Sequence, residues 1–117
     1  MSAKDVFHQS ACIAIKKDGW NITHDPLYLK GNDVEFYIDL GAERLIAAEK
    51  AGQKIAIEIK SFLGASEVKE FQIALGQILN YRLALKQEDS DIIIYLAIPQ
   101  DTYKDFFSRQ FIQDAVA

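Results

Sequence analysis

The sequence predicts an α/β fold, a mixed central sheet flanked by helices, and three observations carry that prediction. Two long stretches repeat their apolar residues at helical spacing, near the start of the chain and over 67–87. Three shorter runs, 34–40, 54–60 and 92–98, alternate or are continuously apolar and rich in β-branched residues, as strands are. The 67–87 helix lies between two of these strands and so forms a crossover, which makes 92–98 parallel to 54–60, whereas the tight connections before it make the early strands antiparallel.

Ser2-Ala-Lys-Asp5 resembles a capping box, and Val6, Phe7, Ala11, Ala14 and Ile15 follow at helical spacing, so a first helix spans about 3–18. Gly19 suits the left-handed residue that ends it. Trp20, Ile22 and the Thr23-His24-Asp25-Pro26 break read as a short strand and its turn, and Leu27-Tyr28-Leu29 either extends that strand or forms an edge. After the Gly31-Asn32-Asp33 turn, Val34, Phe36, Ile38 and Leu40 line one face of the next strand; Glu35, Tyr37 and Asp39 line the other. Gly41 to Lys50 reads as a loop with some helical character or an irregular strand extension. Ser66 is the expected N-cap of the long helix, with Val68, Phe71, Leu75, Ile78, Leu79 and then Leu83 or Leu85 as its core stripe. Gln87 to Asp91 is a polar loop, Ile92 to Ile98 a strand apolar on both faces and stopped by Pro99. A last helix over about 102–115 uses Tyr103, Phe106, Phe107, Phe111 and Ile112 as core.

With 117 residues, 50% of them hydrophobic, the chain fits one domain, 1–117. No apolar run approaches a bilayer span, and the start lacks a signal peptide's apolar core, which predicts a cytoplasmic protein. Thirteen basic against seventeen acidic side chains leave a net charge of -4, which argues against coating nucleic acid by bulk electrostatics. The single cysteine, Cys12, cannot form an internal disulfide and reads as a small buried hydrophobe. His8, one turn from Asp5 and Cys12, reads as a surface or packing histidine, because three mixed ligands without a fourth make a poor metal site.

Chemistry centres on Lys54-Ile-Ala-Ile-Glu58-Ile-Lys60. Period-two alternation sends Ile55, Ile57 and Ile59 one way and Glu58 and Lys60 the other, so an acid and a base share a strand face. Asp39 closes the preceding strand on its polar face, and antiparallel pairing brings it within a few ångströms of Glu58. Two carboxylates so placed repel, and Mg²⁺ or Mn²⁺ bound between them removes the repulsion. Lys60 then orients a water or stabilises charge on a phosphate under attack. On the long helix Gln77 and Tyr81 stand at i and i+4, an amide and a phenol on one face.

Asp39, then Glu58-x-Lys60, then Gln77-x-x-x-Tyr81, in an αβββαβ order, resembles the PD-(D/E)xK nuclease superfamily and its branch with a Gln-x-x-x-Tyr helix motif. The resemblance implies a restriction-endonuclease-like core in which Asp39 and Glu58 bind the divalent metal and Lys60, Gln77 and Tyr81 serve catalysis. Ile38 stands where a proline often precedes the first acid, and the first helix carries no glutamate where many members have one. Longer segments, among them Asp18-Gly-Trp-Asn-Ile-Thr-His-Asp-Pro-Leu27, Ile57-Glu-Ile-Lys-Ser-Phe-Leu-Gly64 and Ala74-Leu-Gly-Gln-Ile-Leu-Asn-Tyr-Arg-Leu-Ala-Leu85, are similar to the fdxN element excision controlling factor family, XisH. That likeness implies a role in programmed excision of a DNA element in cyanobacterial heterocyst development. It implies as partners DNA, a site-specific recombinase and an XisI-like control factor. A nuclease that cuts both strands is also expected to dimerise. The alternative expectation is an inert regulatory module of the same fold that works by binding those protein partners.

Overall fold

The computed structural model describes residues 2–45, 52–88 and 90–116. Helix α1 (Ala3–Lys17) begins as its capping box requires, the Ser2 hydroxyl accepting from the Asp5 N–H. It ends at Gly19, whose φ of 90° only glycine adopts without strain. Strands β1 (Asn21–His24), β4 (Leu40–Arg44), β5 (Gln53–Ile59) and β6 (Ile93–Ala97) form the main sheet in the order β1-β4-β5-β6. β1, β4 and β5 pair antiparallel, and β6 joins β5 in parallel after the crossover helix α2 (Glu67–Gln87). Within the main sheet the expected αβββαβ order holds. A separate hairpin, β2 (Leu27–Lys30) with β3 (Glu35–Ile38), is interposed between β1 and β4.

Three layers result. Ile55, Ile57 and Ile59 of β5, with Leu40 and Ala42 of β4, pack beneath Ala11, Phe7 and Ile15 of α1. On the other face Ala56 and Ile94 meet Tyr81, Ala84 and Leu85 of α2, joined by Leu29 and Ile38 of the hairpin. A third cluster, Phe62, Phe71, Phe106, Phe107 and Ile112, closes the C-terminal end. Among the described residues no helix is long and apolar enough to cross a membrane.

Some expectations are corrected. Val34 to Leu40 is not one strand: the chain leaves the hairpin at Ile38, bends at Asp39 and enters the main sheet at Leu40. Ile38 and Leu40 consequently bury into opposite layers rather than on one face. Of the two readings of the Gly41 to Lys50 segment, the strand extension holds for its first part, strand β4, and residues 46–50 lie outside the described residues, as does Asp89 of the polar loop. On α2, Val68, Leu79 and Leu83 face solvent, while Phe71, Ala74, Tyr81, Ala84 and Leu85 are the buried stripe, because alanines let the helix approach the sheet closely.

The last helix is two, α3 (Gln100–Asp105) and α4 (Gln110–Val116), with the buried Phe106 and Phe107 in the turn between them. Tyr103 and Phe111 are exposed, not core. β6 is likewise buried on one face only, with Ile93 and Tyr95 open on the other.

Candidate active site

The site lies where the β4–β5 ladder runs out. Leu40 pairs with Ile57, so one further step of that register sets Asp39 opposite Glu58. There side chains replace the ladder bonds. The Asp39 N–H donates to Glu58 Oε1 at 3.2 Å, and the Ile59 N–H donates to Asp39 Oδ2 at 2.7 Å. The two acids thus hold each other's strand, and the bend at Asp39 frees its N–H to do so.

Glu58 is only 4% exposed. Its Oε2 accepts from the Tyr81 hydroxyl at 3.3 Å and lies 3.5 Å from Lys60 Nζ, at the exposed rim of the cluster. Burial and the adjacent Asp39 charge push the Glu58 carboxyl above its ordinary range, against the opposing pull of the Asp39 N–H and Lys60. Tyr81 is pushed up to about 12 by burial and by Glu58, so it stays a phenol and donates, to Glu58 and to the Tyr37 carbonyl at 3.4 Å. The Lys60 N–H bonds to the Ala97 carbonyl at 3.0 Å, which carries the β5–β6 pairing one residue beyond the strand and holds the lysine in register.

Asp39, Glu58, Lys60 and Tyr81 are therefore brought together. Tyr81 reaches the site through Glu58, and Gln77 lies one turn before it on α2 with its Oε1 buried and, among the described residues, without a hydrogen-bond partner. A buried acceptor left so costs about 1–3 kcal/mol, which is reason to ask what it serves. The first helix also approaches the site, through Asp5 and His8, which read from the sequence only as poor substitutes for the absent glutamate. A cavity of about 100 Å³ beside Asp39 is lined by Asp5, Phe7, His8, Ile59 and Ser61. Helical spacing places Asp5 and His8 on one face of α1 but does not say that this face overhangs Asp39.

The profile of the XisH protein family matches residues 1–117. The chain belongs to the XisH family. A crystal structure of an XisH family protein from Nostoc punctiforme PCC 73102 superposes with a TM-score of 0.85 at 45% identity, covering 96% of this chain and 83% of that one. A fdxN element excision controlling factor protein from Anabaena variabilis gives a TM-score of 0.82, also at 45% identity, over 96% of this chain and 82% of that one. Among curated proteins none matches. The expected family is thus shown, and with it the mixed α/β fold that XisH proteins share with this chain.

Proposed function

We propose that this XisH chain takes part in programmed excision of a DNA element and acts on DNA as a Mg²⁺- or Mn²⁺-dependent phosphodiesterase, with Asp39 and Glu58 as metal ligands. The single observation that carries the reading is the carboxylate pair itself. Two acids in mutual contact at a strand end, one of them buried with its carboxyl pushed above the ordinary range, are an unfavourable arrangement that a divalent cation relieves. Hard carboxylate oxygens suit Mg²⁺ and Mn²⁺, and each carboxylate retains lone pairs beyond its backbone bond. Bound there, such an ion supplies Lewis acidity to a phosphate and lowers the pKa of water.

The chain's own residues do the rest. Tyr81 donates to Glu58 Oε2 and keeps that carboxylate aimed. Lys60, 24% exposed, is tethered by Glu58 yet able to reach a phosphate oxygen and offset the charge that builds there. Gln77 Oε1 offers a preformed acceptor for a water. The implied partners are DNA, a site-specific recombinase and an XisI-like control factor, and cleavage of both strands calls for a homodimer.

A second reading has its own support: the carboxylates are already met by two backbone N–H groups, a phenol and a lysine, as in a purely structural polar cluster. In that reading the chain is an inert regulatory module that binds the recombinase or the partner factor. Calorimetric titration with Mg²⁺ and Mn²⁺ separates the two, together with incubation on supercoiled, linear and branched DNA. The nuclease reading expects one ion per chain, lost in Asp39→Ala and Glu58→Ala along with cleavage. A wild-type chain that binds no ion and cuts none of these substrates overturns it.

A further inference from the structure

A second set of ligand atoms converges on α1, and it differs in chemistry from the carboxylate pair. His8 and Cys12 stand at i and i+4 on one helical face. Asp25, in the turn between β1 and β2, comes over that face. The three ligand atoms, an imidazole nitrogen, a sulfur and a carboxylate oxygen, all lie within 4.8 Å of one another. His8 Nε2 is 3.5 Å from Asp25 Oδ1.

In a tetrahedral zinc site with bonds of about 2.0–2.3 Å, neighbouring ligand atoms are separated by about 3.4–3.6 Å. The nitrogen–oxygen edge already has that length, and closing the sulfur edges, at most 4.8 Å long, asks for a side-chain movement of no more than about 1.2–1.4 Å. We propose that His8, Cys12 and Asp25 form a site for a thiophilic transition-metal ion of the Zn²⁺ class, with the fourth position open to water. The ligand set makes the selection: one soft sulfur and one imidazole favour Zn²⁺ over Mg²⁺ or Ca²⁺, which take oxygen. Asp25, its side chain 53% exposed, leaves a solvent route to the open position.

The location gives the site a consequence. His8 also lines the cavity beside Asp39, so an ion here fastens α1 to the β1–β2 turn at the mouth of that cavity. The competing arrangement is a His8–Asp25 ion pair with Cys12 as a mere apolar neighbour. It requires no metal, and the state of the thiol distinguishes the two.

Co²⁺ titration of the chelator-stripped full chain, read by absorption, tests the site. One thiolate-ligated Co²⁺ per chain is expected, with the near-ultraviolet thiolate-to-cobalt band and visible bands of a tetrahedral ion, all displaced by Zn²⁺. Cys12→Ser abolishes the thiolate band. Asp25→Asn, at an exposed turn that tolerates the change, weakens Co²⁺ binding at least tenfold, with far-ultraviolet circular dichroism confirming the fold. Asp39→Asn keeps the band. Absence of a thiolate band in the wild type, unchanged affinity in Asp25→Asn, or loss of the band in Asp39→Asn would each overturn a separate His8–Cys12–Asp25 site.

Discussion

Glu58→Gln is expected to stabilise the metal-free protein while abolishing its response to divalent cations. Glutamine keeps the shape of a side chain that is 4% exposed and keeps an acceptor for the Asp39 N–H. It gives up the ion pair with Lys60, but Lys60 is 24% exposed and can turn to water, so that loss is about 1 kcal/mol or less. It also removes the repulsion from Asp39. Two like charges about 4 Å apart at an effective dielectric of about 20 repel by about 4 kcal/mol. Only part of this is recovered, because burial and Asp39 already raise the Glu58 carboxyl above its ordinary range and so weaken the repulsion. The difference is a gain of about 1–2 kcal/mol, or about 4–8 °C in Tm for a chain of this size. Melts followed by circular dichroism, with chelator and with excess Mg²⁺ or Mn²⁺, measure both halves: the wild type rises with the ion, the variant starts higher and does not move. If Glu58→Gln instead melts several degrees below wild type in chelator, Glu58 is a structural counter-ion for Lys60 and the reasoning fails.

The same carboxyl sets a pH dependence. Its folded pKa is raised above the ordinary 4.5, so the folded chain holds the extra proton: stability from Glu58 is full below that value and is lost as pH rises through the folded one. Urea midpoints of the chelated wild type should therefore fall relative to Glu58→Gln from acid toward neutral pH, with saturating Mg²⁺ restoring the loss; parallel curves contradict this. Gln77→Met removes the orphaned Oε1 at similar volume and is expected to raise stability by about 1 kcal/mol while weakening Mg²⁺ affinity. Calorimetry and chemical denaturation check both effects, and a loss of stability would show that the amide has a structural role.

The helices and the parallel crossover were legible because their signals are local. Ser2 and Ser66 cap α1 and α2 as their sequence neighbours require, and Gly19 takes the positive φ that its place demands. The Asp39–Glu58 pairing followed from alternation and antiparallel register alone. What the sequence hid was the bend at Asp39. Val34 to Leu40 alternates without interruption, and only the competition between two pairing partners, β2 for Ile38 and β5 for Leu40, splits it. The stripe on α2 was misjudged for a related reason: its leucines and isoleucines surround the helix, and burial went to Ala74 and Ala84, whose small size periodicity does not weigh. Asp25's approach to His8 and Cys12 is a tertiary contact with no signature in spacing.

The bend at Asp39 also restricts how the chain can change length over evolutionary time. Ile38 and Leu40 anchor in opposite layers, so adding or deleting one residue between them inverts every side chain on one side of the break. Insertions are tolerated at the exposed Asn32–Asp33 tip of the hairpin, whose side chains face solvent. At residue 39 they are not. The first acid of the site is thereby locked to its opposite number by the chain's reading frame as well as by its hydrogen bonds, and descendants of this sequence can replace that residue far more readily than they can displace it.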